Sequence, residues 1–127
     1  MSRAIRLLVV DDSKSVRAVL RRLFTATPDI AVVGEAPDGA QAVDAVLALR
    51  PDAVLTDLQM PVMDGLELTA KLRRLEPFAH LPVVIVSTHD RPEDRRRGLQ
   101  AGADAYLTKQ ALNAGELVEL VRRLGGG

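Results

Sequence analysis

Five short apolar runs recur along the chain, Ile5 to Val10, Ile30 to Gly34, Ala53 to Thr56, Val83 to Ser87 and Ala105 to Thr108. Each is too short for a helix, and most are rich in valine, isoleucine or leucine. Their apolarity is continuous rather than alternating, which predicts strands buried on both faces, as in a parallel sheet. The intervening segments carry helical spacing. Val16, Val19, Leu20, Leu23 and Phe24 form one stripe, Val43, Val46 and Leu47 a second, and Leu66, Leu68, Leu72 and Leu75 a third. Leu117, Leu120, Val121 and Leu124 form the last, and Pro92 to Ala101 is the least apolar segment. Asp38 with Gln41, Asp64 with Glu67 and Asn113 with Glu116 have the spacing of capping boxes, and Pro92 suits a first helical position. The expected fold is α/β, (βα)5, a doubly wound parallel sheet with right-handed crossovers and helices on both faces.

The 127 residues suit one domain, 1–127, and the 47% hydrophobic content suffices for a core. Aromatics are only 2%, so that core is aliphatic. Seventeen basic and seventeen acidic residues cancel, which gives no general pull toward nucleic acid or an anionic membrane. Without cysteine there are no disulfides, thiolate metal sites or thiol nucleophiles. No apolar run approaches the roughly 20 residues that span a bilayer, so a cytoplasmic location is the expectation. Gly125 to Gly127 reads as a frayed end or the beginning of a linker.

Sites in open α/β sheets form beyond the carboxyl ends of the strands. There the chain places Asp11 and Asp12 after the first run, Asp57 after the third, Ser87 and Thr88 at the fourth and Lys109 after the fifth. Carboxylates about 5 Å apart repel by roughly 3 kcal/mol per pair at an effective dielectric near 20. A hard divalent cation neutralises that repulsion, and magnesium favours sites of few carboxylates shared with phosphate oxygens. A lysine adds a compact charge for a phosphoryl oxygen, and a serine adds a donor. These are the parts of metal-assisted phosphoryl transfer to a carboxylate. Taken singly the residues have plainer readings: Asp11 and Asp12 as caps of the first helix, Tyr106 as a core aromatic, and Arg95 to Arg97 as a solvated helix face. His80 and His89 lack metal-ligand spacing.

Four segments together resemble the receiver domain of bacterial two-component response regulators. They are Leu8 to Ser13, Asp57 to Gly65, Val84 to Ser87 and Ala101 to Lys109, in this order over essentially the whole chain. The resemblance implies a flavodoxin-like fold with strand order 2-1-3-4-5. It implies Asp57 as phosphoryl acceptor, with Mg2+ (or Mn2+) bound directly by Asp12, through water by Asp11, and by Asp57 and the backbone carbonyl of Gln59. Lys109 would hold a phosphoryl oxygen, Ser87 would donate to the phosphoryl group, and Tyr106 would be the switch aromatic.

The same likeness implies a sensor histidine kinase or phosphotransfer protein as donor, and a downstream protein target reached through helix 4, strand 5 and helix 5. It implies no direct nucleic-acid contact, a monomer or weak phosphorylation-linked dimer, and no enzymatic turnover beyond the domain's own phosphorylation and dephosphorylation. The N-terminal half is similar to receivers of chemotaxis methylesterases, and Arg91 to Gln110 to receivers fused to chemotaxis kinases. A fragment of such a protein and a phosphorylation-independent docking module are the alternatives.

One departure from the pattern is Gln110, where the family has a cis proline after the lysine, so a trans bond and a differently shaped loop are expected, which leaves the aim of Lys109 open. A phosphohydrolase of the aspartate-nucleophile kind would carry a second Asp two residues after the first, where Gln59 stands. A flavin protein of this fold would need a Ser/Thr/Gly-rich phosphate loop where Asp11 and Asp12 stand.

Overall fold

The computed structural model describes residues 3–110 and 113–126. The elements alternate as β1 (Ile5–Val10), α1 (Lys14–Thr25), β2 (Ile30–Ala36), α2 (Gly39–Leu49), β3 (Ala53–Thr56), α3 (Gly65–Arg73), β4 (Val83–Ser87), α4 (Pro92–Ala101), β5 (Ala105–Thr108) and α5 (Ala114–Gly125). The five strands form one sheet in the order β2-β1-β3-β4-β5, and every pairing is parallel. The doubly wound (βα)5 fold and its strand order are thus as expected.

Continuous apolarity in the strands has a simple cause. Successive side chains point to opposite faces, and both faces are covered. Leu7 and Val9 of β1 join Leu55, Val84 and Val86 against Phe24 of α1 and Leu117 and Val121 of α5. Leu8 and Val10 join Val54, Val83 and Ile85 against Val46 of α2 and Leu68 and Leu72 of α3. Burying each large aliphatic side chain contributes about 1.5–3 kcal/mol before conformational entropy is set against it.

Three helix starts are as the sequence suggests. Asp64 forms a full capping box with Glu67, while Asp38 and Asn113 each accept from the third helical N–H. Pro92 stands in the first turn of α4, the segment with least apolar content. The start of α1 corrects the reading of Asp11 and Asp12 as caps. Ser13 is the cap and accepts from Val16 N at 3.2 Å. Its hydroxyl faces the first turn, whereas Asp11 accepts from Ser13 N.

Other expectations also shift. β2 continues past Gly34 to Ala36, where Gly34, Glu35 and Ala36 pair with Leu8, Val9 and Val10 of β1, and Glu35 bonds outward to Arg17 and Arg21 of α1. Those arginines, Arg21 foremost, hold the Glu35 carboxyl below its ordinary range. Val19 and Leu47 lie in apolar stripes yet remain exposed. Gly125 closes α5 and Gly126 caps it, where a frayed end was expected; a Cβ on Gly125 would stand 2.7 Å from Ile5. Gly127, Met1 and Ser2 lie outside the described residues. Among the described residues no helix is long and apolar enough to cross a membrane.

Candidate functional site

The sheet's hydrogen bonding extends past the strand ends and sets the acidic residues in place. Asp11 N donates to Ala36 O at 3.0 Å, Asp57 N to Val10 O at 2.8 Å, and Lys109 N to Ser87 O at 2.7 Å. Neighbouring parallel strands therefore deliver their terminal side chains to one edge. Asp11, Asp12 and Asp57 each offer a carboxylate oxygen within 4.8 Å of the others. Asp11 is buried at 3% exposure, Asp57 is half-buried, and Asp12 is exposed.

Lys109 reaches across the cluster. Its Nζ donates to Asp11 Oδ2 at 3.2 Å and lies 3.5 Å from Asp57 Oδ1. The Lys109–Gln110 peptide is trans, as expected without proline, since Glu76–Pro77 is the one cis bond among the described residues. Lys109 is within reach of both carboxylates, and Gln110 donates its side-chain amide to Thr88 O at 3.0 Å. Thr88 itself faces solvent.

Burial, with the charge of Asp11 second, pushes the Asp57 carboxyl above the usual carboxylate range. Lys109 and the Leu58 N–H, which donates to Asp57 Oδ1 at 2.9 Å, oppose that rise. An apolar cavity of about 260 Å³ adjoins the cluster, with Val16, Val19, Leu20 and Val86 in its wall beside Asp57 and Lys109. Such a wall limits solvation of the Asp57 carboxylate and strengthens nearby electrostatics.

Ser87 is fully buried at the end of β4, and its Oγ accepts from His89 N at 3.0 Å. The Ser87 side chain also interacts with the Tyr106 phenol and opposes the rise of its pKa. Tyr106 lies inward at 1% exposure and donates from its hydroxyl to His89 O at 2.7 Å. One residue, His89, thus holds both the serine and the tyrosine through its backbone. Burial raises the Tyr106 phenol above its ordinary range.

Gln59 is exposed in the β3–α3 loop, two residues beyond Asp57. That loop contains Val62 at φ 68° and 81% exposure, with Met63 N donating to Pro61 O at 2.7 Å. This is a γ-turn with a positive central φ, a strained shape for a β-branched residue. Gly65 then lets α3 approach Asp57. Its N–H donates to Leu58 O at 2.7 Å, and a Cβ there would stand 2.3 Å from Asp57 O.

Sequence reasoning missed Arg17, whose guanidinium donates to Asp11 O at 2.6 Å while pairing with Glu35. It also missed the γ-turn at Val62. Neither position carries a signal in composition or periodicity. Pro61 beside Asp64 marks a turn without its type.

A parallel 2-1-3-4-5 sheet whose carboxyl edge gathers three aspartates against a lysine defines a receiver of two-component signalling. The chain belongs to the response regulator receiver domain family, which matches residues 7–122. It is 42% identical over 123 residues, 97% of its length, to the gliding motility regulatory protein of Myxococcus xanthus, covering 16% of that protein. It is 40% identical over 116 residues, 90% of its length, to protein-glutamate methylesterase/protein-glutamine glutaminase 1 of Dechloromonas aromatica, covering 32% of it.

Among solved structures, the response regulator domain of Thermotoga maritima CheB superposes with a TM-score of 0.87 at 33% identity. That match covers 98% of each chain. The receiver domain of sensor histidine kinase PA1611 from Pseudomonas aeruginosa, with a magnesium ion coordinated in its active site cleft, gives a TM-score of 0.86 at 29% identity. It covers 98% of this chain and 99% of that one. The chain therefore spans well under half of these two longer curated relatives.

Proposed function

We propose that Asp57 accepts a phosphoryl group and that its modification drives the switch. The observation that carries this reading is the approach of Lys109 to two of three clustered carboxylates at the sheet's carboxyl edge. The donor set is hard oxygen only, which fits Mg2+ or Mn2+. Asp12 and Asp57 would hold the ion directly, Asp11 through water, and the Gln59 carbonyl would complete the protein ligands. The ion supplies neutralisation of charge on the transferred group.

In the transfer, an Asp57 carboxylate oxygen attacks phosphorus and forms an O–P bond. The P–N bond of a donor phosphohistidine breaks, and its electron pair returns to the imidazole, which takes a proton. Lys109 faces the oxygens of the transferred group and stabilises their charge. The acyl phosphate brings new acceptor oxygens to the edge, and the Ser87 hydroxyl would donate to them. Ser87 and Tyr106 share His89 as anchor, so a movement of the serine is felt at the ring. The equilibrium so biased is read on the face of α4, β5 and α5.

The donor would be a sensor histidine kinase or a phosphotransfer protein, the reader a downstream protein, and the setting the cytoplasm. Monomer and weak phosphorylation-linked dimer both suit such a switch. Residues 1–127 would act as one receiver unit, catalysing only their own phosphorylation and dephosphorylation. A second reading is favoured by the short span over the longer relatives: the receiver serves a larger, chemotaxis-type regulator.

Acetyl phosphate with magnesium is expected to place a single phosphoryl group on Asp57, labile to alkali and hydroxylamine and detected by intact mass. Asp57→Asn should keep the fold and lose the label. Stoichiometric labelling of that variant would remove Asp57 from the role, and an unlabelled wild-type protein would leave the docking-module alternative.

A further inference from the structure

α4 is held in place by little apolar burial. Its buried positions are Asp94 and Gly98, one helical turn apart, and its large apolar residue Leu99 faces outward. Glycine inside a helix is disfavoured against alanine by roughly two- to fivefold in the folding equilibrium. Gly98 has no backbone need for that cost. It lies within the helix, and Gly102 is the one glycine with positive φ among the described residues.

What Gly98 does have is a neighbour. A Cβ there would stand 2.8 Å from Cδ2 and 3.4 Å from Cε2 of Tyr106, and 3.2 Å from Cδ1 of Ile85. The first distance is shorter than carbon atoms tolerate. The ring cannot slide along its own axis without losing the 2.7 Å hydrogen bond to His89 O. Ile85 pairs with Tyr106 across β4 and β5, which closes the pocket from the sheet side.

We propose that Gly98 is the positioning residue that admits the Tyr106 ring beneath α4, so that its missing side chain sets the population of the inward ring. The inference rests on the reading of Tyr106 as the switch aromatic and adds the determinant on the facing helix. A methyl group at position 98 disfavours the inward ring by about tenfold or more, because overpacking of a filled site forces the ring off its rotamer. The outward ring escapes that overlap. Gly98 touches none of the acidic cluster, so the surroundings of Asp57 are kept in the variant, and the ring's coupling to the phosphoryl site is the one route by which labelling changes.

Tyr106 is the only tyrosine and the chain has no tryptophan, so tyrosine fluorescence reports this one ring. The test compares wild type with Gly98→Ala by acrylamide quenching, before and after acetyl phosphate and magnesium, with intact mass read in parallel. The expected result is a protected ring in wild type, a ring several times more accessible in the variant, and labelling of both proteins at Asp57, no faster in the variant than in wild type. Equal quenching in both proteins would overturn the proposal. Should Gly98→Ala fail to fold, the comparison moves to a Tyr106→Ala background. There the added alanine should raise the folding equilibrium by about two- to fivefold. A loss of stability in that background would also overturn the proposal, since no ring remains to be displaced. Failure of wild type to label would count against phosphoryl transfer alone, and the quenching comparison would still decide the role of Gly98.

Discussion

The ammonium of Lys109 stands 3.2 Å from the carboxylate of Asp11, 98 residues away in the chain, and 3.5 Å from that of Asp57. One cation therefore tethers β5 to the ends of β1 and β3. Lys109→Ala should slow labelling by acetyl phosphate by about two orders of magnitude, the scale of losing one preorganised charge at a developing anion. Lys109→Arg should rescue little, because a planar fork does not replace a compact ammonium in this space. Timed intact-mass measurements read both rates, and an arginine variant as fast as wild type would contradict the assignment.

Asp57 binds its proton more tightly in the folded protein than in the unfolded chain, chiefly through burial and then through Asp11. The sign follows from linkage. The folded pKa is raised, so no penalty exists below the ordinary carboxylate range, and stability falls as pH rises through the folded pKa. Ionised Asp57 thus destabilises the metal-free protein near pH 7. Asp57→Asn should melt higher than wild type near pH 7, with the gain shrinking toward about pH 3. Magnesium should raise the wild-type midpoint more than that of the variant. Calorimetry across pH reads the effect, and an asparagine variant no more stable near neutrality would refute it.

Ser13 and Asp12 are neighbours with separable roles. Ser13 caps α1, so Ser13→Ala should cost about 1 kcal/mol of stability. Asp12 is exposed and belongs to the acidic cluster, so Asp12→Ala should leave the fold intact and weaken magnesium binding at least about tenfold, since it removes one carboxylate from the ion. Urea titration and a magnesium titration followed by Tyr106 fluorescence distinguish the two. An Asp12 variant with the larger loss of stability would reverse the roles.

Gly65 is the closest approach of α3 to the acceptor strand. A methyl group there would meet Asp57 O at 2.3 Å, which is backbone and cannot swing aside. Gly65→Ala should destabilise the protein by about 1–3 kcal/mol and slow labelling, because the loop that carries Asp57 must shift. Denaturant midpoints and labelling rates should fall together. A variant with wild-type values in both would show that the loop yields freely.

Periodicity found each strand because both faces of this sheet are covered, leaving runs such as Val83 to Ser87 wholly buried. It also suggested Val19 and Leu47 as core, and both are exposed. A stripe at helical spacing states which side chains share a face, not how wide the covering sheet is at that point. Ser13 was hidden as a cap behind two acidic residues equally suited to the task, and only the turn of the chain chose among them. Gly98 carries no signal in the sequence, and its closeness to the Tyr106 ring exists only in the folded chain.

The order of residues alone determined the alternation of strand and helix and the placement of acidic, hydroxyl and amine groups at strand ends. Those properties follow from local propensity, hydrophobic spacing and turn chemistry. Tertiary structure decided that Asp11, Asp12 and Asp57 lie within 4.8 Å of one another, that Lys109 reaches them past Gln110, and that the Asp57 carboxyl is raised. Distances across a sheet depend on register and crossover, which join residues far apart in the chain, and burial exists only once the layers have closed.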